Sequence, residues 1–327
     1  MRVFIIMVAD KCIGYFVFYI SFAEIMKGKI KMQKETIFKG AATALITPLN
    51  ENGVDYEKLG SLIDWQINEG ISALVACGTT GEGSTLTDEE HREVIRYFVE
   101  RVGGRVPVVA GTGSNDTAYA IDLTEFSCKV GADAMLVVTP YYNKATQKGL
   151  VKMYEAIADR STKPLILYNV PSRTGCNIEP KTYLQLADHP MIAAIKEASG
   201  NISKIVETMS LVGDKLDLYS GNDDQIVPLL SLGGKGVISV LSNLVPKKTV
   251  QICTRFFEGD IVGSAALQYE LLPLVNALFS EVNPIPVKAA MAKMGFCENF
   301  LRLPLTTIED KNAEILYDCM RAHRLIK

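Results

Sequence analysis

From Phe38 onward the apolar and polar positions alternate between two rhythms. Short runs of apolar and β-branched residues end in a turn or glycine cluster, and each is followed by a stretch with apolar positions three and four apart. The first rhythm predicts buried strands at Gly40–Thr47, Ala73–Cys77, Val106–Ala110, Ala134–Thr139, Pro164–Tyr168, Ile192–Lys196, Leu216–Ser220 and Gly236–Val240. The second predicts helices at Tyr56–Glu69, Thr87–Val102, Thr117–Val130, Gln147–Arg160, Pro180–Ala187, Ser203–Val212 and Asp223–Leu232. Thr87-Asp-Glu-Glu90 carries a start signal, with a capping hydroxyl and acids at the positive helix end. Strict alternation implies a parallel sheet with right-handed crossovers. Eight such units over about 200 residues predict an α/β protein with a closed (β/α)8 TIM barrel, whose active groups collect at the carboxyl ends of the strands. An open doubly wound sheet would want a Gly-x-Gly-x-x-Gly turn after its first strand. Pro48-Leu-Asn-Glu-Asn-Gly53 stands there instead, without phosphate-binding glycines. After Val240 the alternation stops, and Pro246–Glu258, Ile261–Ser280, Pro284–Met294 and Ile308–Leu325 all read as helices. One completes the eighth unit and the others form a helical C-terminal appendage. The expected organisation is a catalytic barrel over 32–245 and the end of the barrel with the helical region over 246–327.

Residues 1–31 differ from everything after them. Met1–Ala9 is apolar, Asp10-Lys11 interrupts, and Cys12–Ala23 is apolar and aromatic again. A signal peptide would show an unbroken apolar core and a small-residue cleavage site. Neither apolar piece is long enough to span a bilayer alone, and a charged pair is costly in mid-membrane. The expectation is an upstream start or a dispensable extension, with a membrane anchor as the other reading. The remaining composition narrows the function. A net charge of −3 without long runs leaves no basic footprint for nucleic acid. Seven scattered cysteines, with no Cys-x-x-Cys pair, fit reduced thiols in a cytoplasmic protein. Three histidines far apart show no metal-ligand spacing, so no metal site is expected.

The candidate chemistry centres on Met191-Ile-Ala-Ala-Ile-Lys-Glu-Ala-Ser-Gly200, an apolar strand that ends on a lysine. Period two puts Ile192, Ala194 and Lys196 on one face. Desolvation there would lower the lysine pKa and leave a nucleophilic amine. The packing alternative is a lysine snorkelling from the strand end or paired with Glu197. Other strand ends carry further groups. Cys77-Gly-Thr-Thr-Gly-Glu82 makes a tight loop whose backbone N–H groups can converge on an anion such as a carboxylate. Thr139-Pro-Tyr-Tyr-Asn143 follows strand four, and Tyr168-Asn-Val-Pro-Ser-Arg-Thr-Gly175 follows strand five. Tyr168 closes the strand beside Lys196, where a phenol can exchange protons with a lysine adduct. Arg173 lies in a loop bounded by Pro171 and Gly175, either as a solvated arginine or as a carboxylate clamp. Gly221-Asn-Asp-Asp224 and Gly234-Lys-Gly-Val-Ile-Ser239 suggest close backbone approach.

Together Gly78-Thr-Thr-Gly-Glu82, Pro140-Tyr-Tyr-Asn143, Tyr168–Gly175, Ile195-Lys-Glu-Ala198 and Asn283-Pro-Ile-Pro-Val-Lys288 resemble the pyruvate-dependent class I aldolase superfamily. Within it the chain most resembles the dihydrodipicolinate synthase family, from about Phe38 to Leu305. The resemblance implies a lyase that condenses pyruvate with L-aspartate 4-semialdehyde in lysine and diaminopimelate biosynthesis, with no cofactor. Lys196 would form the Schiff base and Tyr168 would move protons beside it. Thr79 and Tyr142 would complete a relay. Thr80 and the backbone at Ile238 would hold pyruvate, with Gly221 also at the substrate, and Arg173 would hold the second substrate at the entrance. Tyr142 would reach in from a neighbouring subunit of a homotetramer built from two tight dimers.

Two rival functions stand beside this. Aldolases of the same superfamily acting on sialic acid or 2-keto-3-deoxy sugar acids share the lysine and tyrosine. The paired Thr79-Thr80 and Ser172-Arg173-Thr174 favour the synthase. A non-catalytic barrel sensing a keto acid would be expected to lack part of the relay. Many members of the resembled family are inhibited by lysine, held between two subunits. Here His91, Asn115 and Tyr141 match that pattern, but Asp88 replaces a histidine and Tyr119 replaces an effector-binding glutamate. A lysine ammonium leaving water needs a carboxylate or several acceptors. The expectation is weak or absent lysine inhibition.

Overall fold

Eight parallel strands close on themselves in a computed structural model that describes residues 34–327. The extension expected at 1–31 lies outside the described residues. The barrel strands are β1 (Gly40–Ala44), β2 (Ala73–Ala76), β3 (Val108–Gly111), β4 (Ala134–Val138), β5 (Leu165–Asn169), β6 (Ile192–Glu197), β7 (Asp217–Ser220) and β8 (Gly236–Ser239). Each pairs with its sequence neighbours, and β1 pairs with both β2 and β8. Between them run α1 (Tyr56–Asn68), α2 (Asp88–Val102), α3 (Thr117–Val130), α4 (Gln147–Ala158), α5 (Pro180–Leu186), α6 (Ile202–Val212) and α7 (Ile226–Ser231). α8 (Pro246–Phe257) completes the eighth unit. Three further helices, α9 (Ile261–Leu278), α10 (Ile285–Lys293) and α11 (Asp310–Ala322), make the C-terminal appendage. The (β/α)8 expectation is met.

Closure has local causes. In β1, Gly-Ala-Ala-Thr-Ala is buried on both faces, where only small residues fit between the interior and the helices. At the β1–β8 seam Gly40 pairs with Gly236, and a Cβ on Gly236 would stand 1.7 Å from the Gly40 carbonyl oxygen. Any other residue there would force the seam open. Inside the barrel, Phe38 stacks on Tyr219 with ring centroids 4.2 Å apart, and the Tyr219 hydroxyl donates to the Phe38 carbonyl at 2.7 Å. The helices start where the sequence signals. Thr87 and Glu90 form a complete capping box on α2, and Gly103 ends it in the left-handed region, with φ 55°. α9 has the length and composition of a membrane span. Yet Leu267, Leu271, Leu274 and Leu278 are buried, and Ser264 donates to the Ile252 carbonyl of α8 at 2.7 Å. It is a core helix.

Several boundaries differ from expectation. β1 ends at Ala44 rather than Thr47, and Leu49–Asn50 with Gly53–Val54 forms a two-stranded antiparallel ribbon after it. The last helix is Asp310–Ala322, shorter than the expected 308–325. The larger correction falls on β6. Leu165 pairs with Ile192 but Ile166 pairs with Ala194, so one extra residue sits in β6 at a bulge. The bulge breaks period two. Ile192 packs among the outer residues, whereas Ala194 packs with the inner ones. Lys196 therefore shares its face with Ala194 but not with Ile192.

Candidate active site

The bulge in β6 sets the register that matters, because beyond it Lys196 lies beside Tyr168 of β5. The ammonium nitrogen stands 4.1 Å from the centre of the Tyr168 ring. Both side chains are buried at the carboxyl end of the barrel, Lys196 with 6% exposure. Burial pushes the Lys196 pKa down from its ordinary 10.5 to about 7. Asp223 opposes that shift and the Arg173 charge adds to it. Burial also raises the Tyr168 phenol, while the Arg173 charge and a hydrogen bond with Thr79 act the other way.

Glu197, the alternative partner for Lys196, points the other way. Alternation along the strand places it on the outer face. There it accepts from Asn169 Nδ2 at 3.1 and 3.2 Å and from the Ser199 N–H at 2.7 Å. Pairing of Lys196 with Glu197 is thus a reading the register overturns. Gly221, at the end of β7, leaves room for the lysine. Its N–H donates to the Glu197 carbonyl at 2.8 Å, and a Cβ on it would stand 3.1 Å from Lys196 Cε and 2.8 Å from Ala198 Cβ. Ile238 is buried on the inner face of β8.

The Gly78–Glu82 loop rises from β2 opposite these groups. Gly81 is needed for close approach, since a Cβ on it would stand 3.0 Å from the Leu45 carbonyl oxygen. The Glu82 N–H donates to the Thr79 carbonyl at 3.1 Å, and Thr47 Oγ1 donates to the Gly81 carbonyl at 2.7 Å. Thr79 is exposed, and its side chain helps to hold the Tyr168 pKa down. Thr80 is buried and accepts from Asn283 Nδ2 at 3.0 Å.

Arg173 was expected in a loop but sits in a helical turn, Pro171–Thr174, ended by Gly175 at φ 65°. Proline at its first position presets the turn, and Thr139 Oγ1 donates to Thr174 Oγ1 at 2.9 Å to tie it down. The guanidinium is exposed, and its charge reaches both Lys196 and Tyr168. Tyr142 stands apart from this group. It is 92% exposed, in the left-handed region at φ 69°. The chain by itself therefore brings together Lys196, Tyr168, Thr79, Gly221 and the charge of Arg173, and leaves Tyr142 on its surface.

At the inter-subunit positions, Asp88 accepts from Arg92 Nε at 2.9 Å, and Arg92 and then the Tyr119 side chain hold its carboxyl below the ordinary range. His91 is buried, with Nε2 2.9 Å from the Gly111 carbonyl oxygen. Sequence reasoning missed roles for Asn283, Lys288 and Asp223. Asp223 is buried and accepts from the Val240 and Leu241 N–H groups at 2.9 Å each. Lys288 carried the same signal as Lys196, a lone lysine in an apolar run.

The chain has clear relatives. The model of the Dihydrodipicolinate synthetase family matches residues 37–323. A 4-hydroxy-tetrahydrodipicolinate synthase of Acetivibrio thermocellus is 55% identical over 293 residues, 90% of this chain and 100% of that protein. One from Lachnoclostridium phytofermentans is 57% identical over 292 residues, 89% of this chain and 99% of its own length. The crystal structure of the chloride-inhibited dihydrodipicolinate synthase from Acinetobacter baumannii complexed with pyruvate superposes with a TM-score of 0.87 at 41% identity, covering 89% of this chain and 100% of that one. With matching fold, matching length and a buried lysine beside a tyrosine at the barrel mouth, the chain belongs to the dihydrodipicolinate synthetase family.

Proposed function

We propose that this chain is a Schiff-base-forming lyase with 4-hydroxy-tetrahydrodipicolinate synthase activity, condensing pyruvate with L-aspartate 4-semialdehyde. The observation that carries the mechanism is the Lys196 amine, buried beside Tyr168 with its pKa lowered to about 7. About half of it is neutral at pH 7, so it can attack a ketone without first losing a proton to bulk water. The amine adds to C2 of pyruvate, water leaves, and the protonated imine draws electrons from the methyl group. Tyr168, left as a phenolate once it has given its proton to the departing water, takes a methyl proton and an enamine results. Its carbon attacks the aldehyde, and Tyr168 returns a proton to the new alkoxide. The amine of the second substrate displaces Lys196 as the ring closes, which restores the free lysine.

The remaining residues take supporting roles. Thr79 passes protons between Tyr168 and Tyr142 of the partner subunit, since a hydroxyl between two phenols can donate to one while it accepts from the other. The exposure and left-handed backbone of Tyr142 support a role across an interface. Thr80 and the backbone at Ile238 hold pyruvate, and Gly221 gives the substrate and Lys196 their space. Arg173, exposed at the mouth, takes the carboxylate of the second substrate. We place the protein in the cytoplasm as a homotetramer, a dimer of tight dimers. The scattered cysteines of the sequence accord with a reducing compartment.

The acceptor is tested by turnover of pyruvate with L-aspartate 4-semialdehyde and, separately, with N-acetylmannosamine. Cyclised product with the first and none with the second is expected. Turnover of the second alone would assign the site to a sugar-acid aldolase.

A further inference from the structure

The motif Asn283-Pro-Ile-Pro-Val-Lys288 stands in the appendage at the start of α10, and the mechanism above gives it no part. Lys288 is wholly buried, as is the side chain of Glu82, and Lys288 Nζ lies 2.7 Å from Glu82 Oε1. Lys288 also donates to the Thr47 carbonyl at 2.7 Å, and Thr47 donates from its hydroxyl to the Gly81 carbonyl at 2.7 Å. Five residues earlier, Asn283 Nδ2 reaches Thr80 Oγ1. One short piece of the appendage therefore grips the Gly78–Glu82 loop at both Thr80 and Glu82. Glu82 itself sits at φ 54°, a conformation that costs energy for a residue with a Cβ and persists only where its surroundings hold it.

Energetics argue that this pair is not there for stability alone. Taking two charges fully out of water costs more than their attraction commonly returns, and apolar replacements of similar volume often fold as well or better. A buried pair kept under such a cost, on the loop that carries Thr79 and Thr80, fits a need for placement. The Asn283 contact has a chemical consequence too. Because Thr80 Oγ1 accepts from Asn283, its own proton is left to donate elsewhere, toward an acceptor such as a carboxylate.

We propose that Lys288 and Asn283 are positioning residues for the reaction. Lys288, through Glu82, sets the height of Thr79 against Tyr168, and Asn283 aims the Thr80 hydroxyl at the carboxylate of pyruvate. This rests on the roles of Thr79 and Thr80 given above.

The test uses the full chain carrying Glu82→Gln and Lys288→Met together, beside Asn283→Ala. The glutamine keeps an acceptor for the Arg302 N–H, which lies 3.4 Å from Glu82 Oε2, and brings an amide donor in place of the lost ammonium. The double variant should unfold cooperatively at a midpoint close to the wild type. Pyruvate and borohydride should still label its Lys196, while kcat falls about 100-fold, the scale of a small misplacement of catalytic groups. Wild-type kcat in the folded double variant would overturn the role of Lys288. Asn283→Ala should raise the KM for pyruvate at least tenfold without a matching loss of thermal stability, and an unchanged KM would overturn the role of Asn283. The Schiff-base reading fails separately, if the wild type itself yields no labelled Lys196.

Discussion

Lys196 and Lys288 are both buried lysines held near the carboxyl end of the barrel, and their surroundings treat them oppositely. Lys288 has a carboxylate at 2.7 Å and a backbone carbonyl at 2.7 Å, so its charge is answered at both contacts. Lys196 has the face of a tyrosine ring at 4.1 Å, a glycine where a side chain would crowd it and a positive Arg173 at the mouth, with only the Asp223 charge acting to keep it protonated. Its nearest sequence neighbour, Glu197, is turned outward by strand alternation and spent on Asn169 and Ser199. The contrast teaches that burial alone does not decide what a lysine does. With an acceptor on each side it fastens two segments together, and without them it yields a neutral amine near pH 7.

The sharpest way to break this comparison is to replace each lysine by methionine and measure activity and unfolding together. Lys196→Met should lower kcat by about 10⁴-fold or more, the scale on which removal of a nucleophile acts. It should also stabilise the fold. The folded pKa of Lys196 is about 7 against an ordinary 10.5, so between those values the unfolded chain binds more protons and stability rises with pH. Below about pH 7 the full cost of burying the charge is present. Removing the amine should therefore stabilise the chain at pH 7 by on the order of 1–4 kcal/mol and flatten the rise between pH 7 and 10.5. Lys288→Met alone should do the reverse and destabilise by about 3–5 kcal/mol, because it strands Glu82 as an uncompensated buried charge. Stability changes of the same sign in both variants would refute the distinction.

Arg173 sharpens the electrostatic side. Loss of a charge-assisted carboxylate contact costs about 2–4 kcal/mol. Arg173→Ala should accordingly raise the KM for L-aspartate 4-semialdehyde by about 30- to 1,000-fold and that for pyruvate far less. Equal effects on the two substrates would make the arginine structural. Tyr142 extends the comparison to a second subunit. Inactive Tyr142→Phe and Lys196→Ala chains, mixed under conditions that allow exchange, should regain part of the activity if sites are shared. Confirmed mixed dimers with no activity would contradict that arrangement.

The smallest effect is expected from lysine itself. At the crevice, Asp88 is already engaged by Arg92 and Tyr119, and Tyr119 offers one neutral oxygen. Asp88 is thus poorly placed to replace a missing glutamate. A steady-state titration should find lysine weakly inhibitory or without effect. Half-inhibition at sub-millimolar lysine would contradict the argument from Tyr119.

Much of the barrel was legible in the sequence, because β-α alternation and chemistry at strand ends are both local signals. Lys196, Tyr168 and the Gly78–Glu82 loop could be read as neighbours once the strand order was inferred. The bulge at β6 could not. No glycine or proline marks it, and the extra residue shows only in how β6 pairs with β5. The pairing of Lys288 with Glu82 was hidden for another reason. The two lie far apart in sequence, and only packing of the appendage against the loop brings them together. Arg173 was legible as a residue but not as a helical turn, since a four-residue helix leaves too short a periodic trace.

Lys196, and not Lys288, is proposed as the nucleophile. Incubation with pyruvate and borohydride, followed by peptide mapping, tests it directly. A reduced pyruvate adduct is expected on the peptide carrying Lys196, none on Lys288, and none anywhere in Lys196→Ala. An adduct on another lysine, or labelling that survives Lys196→Ala unchanged, would contradict it.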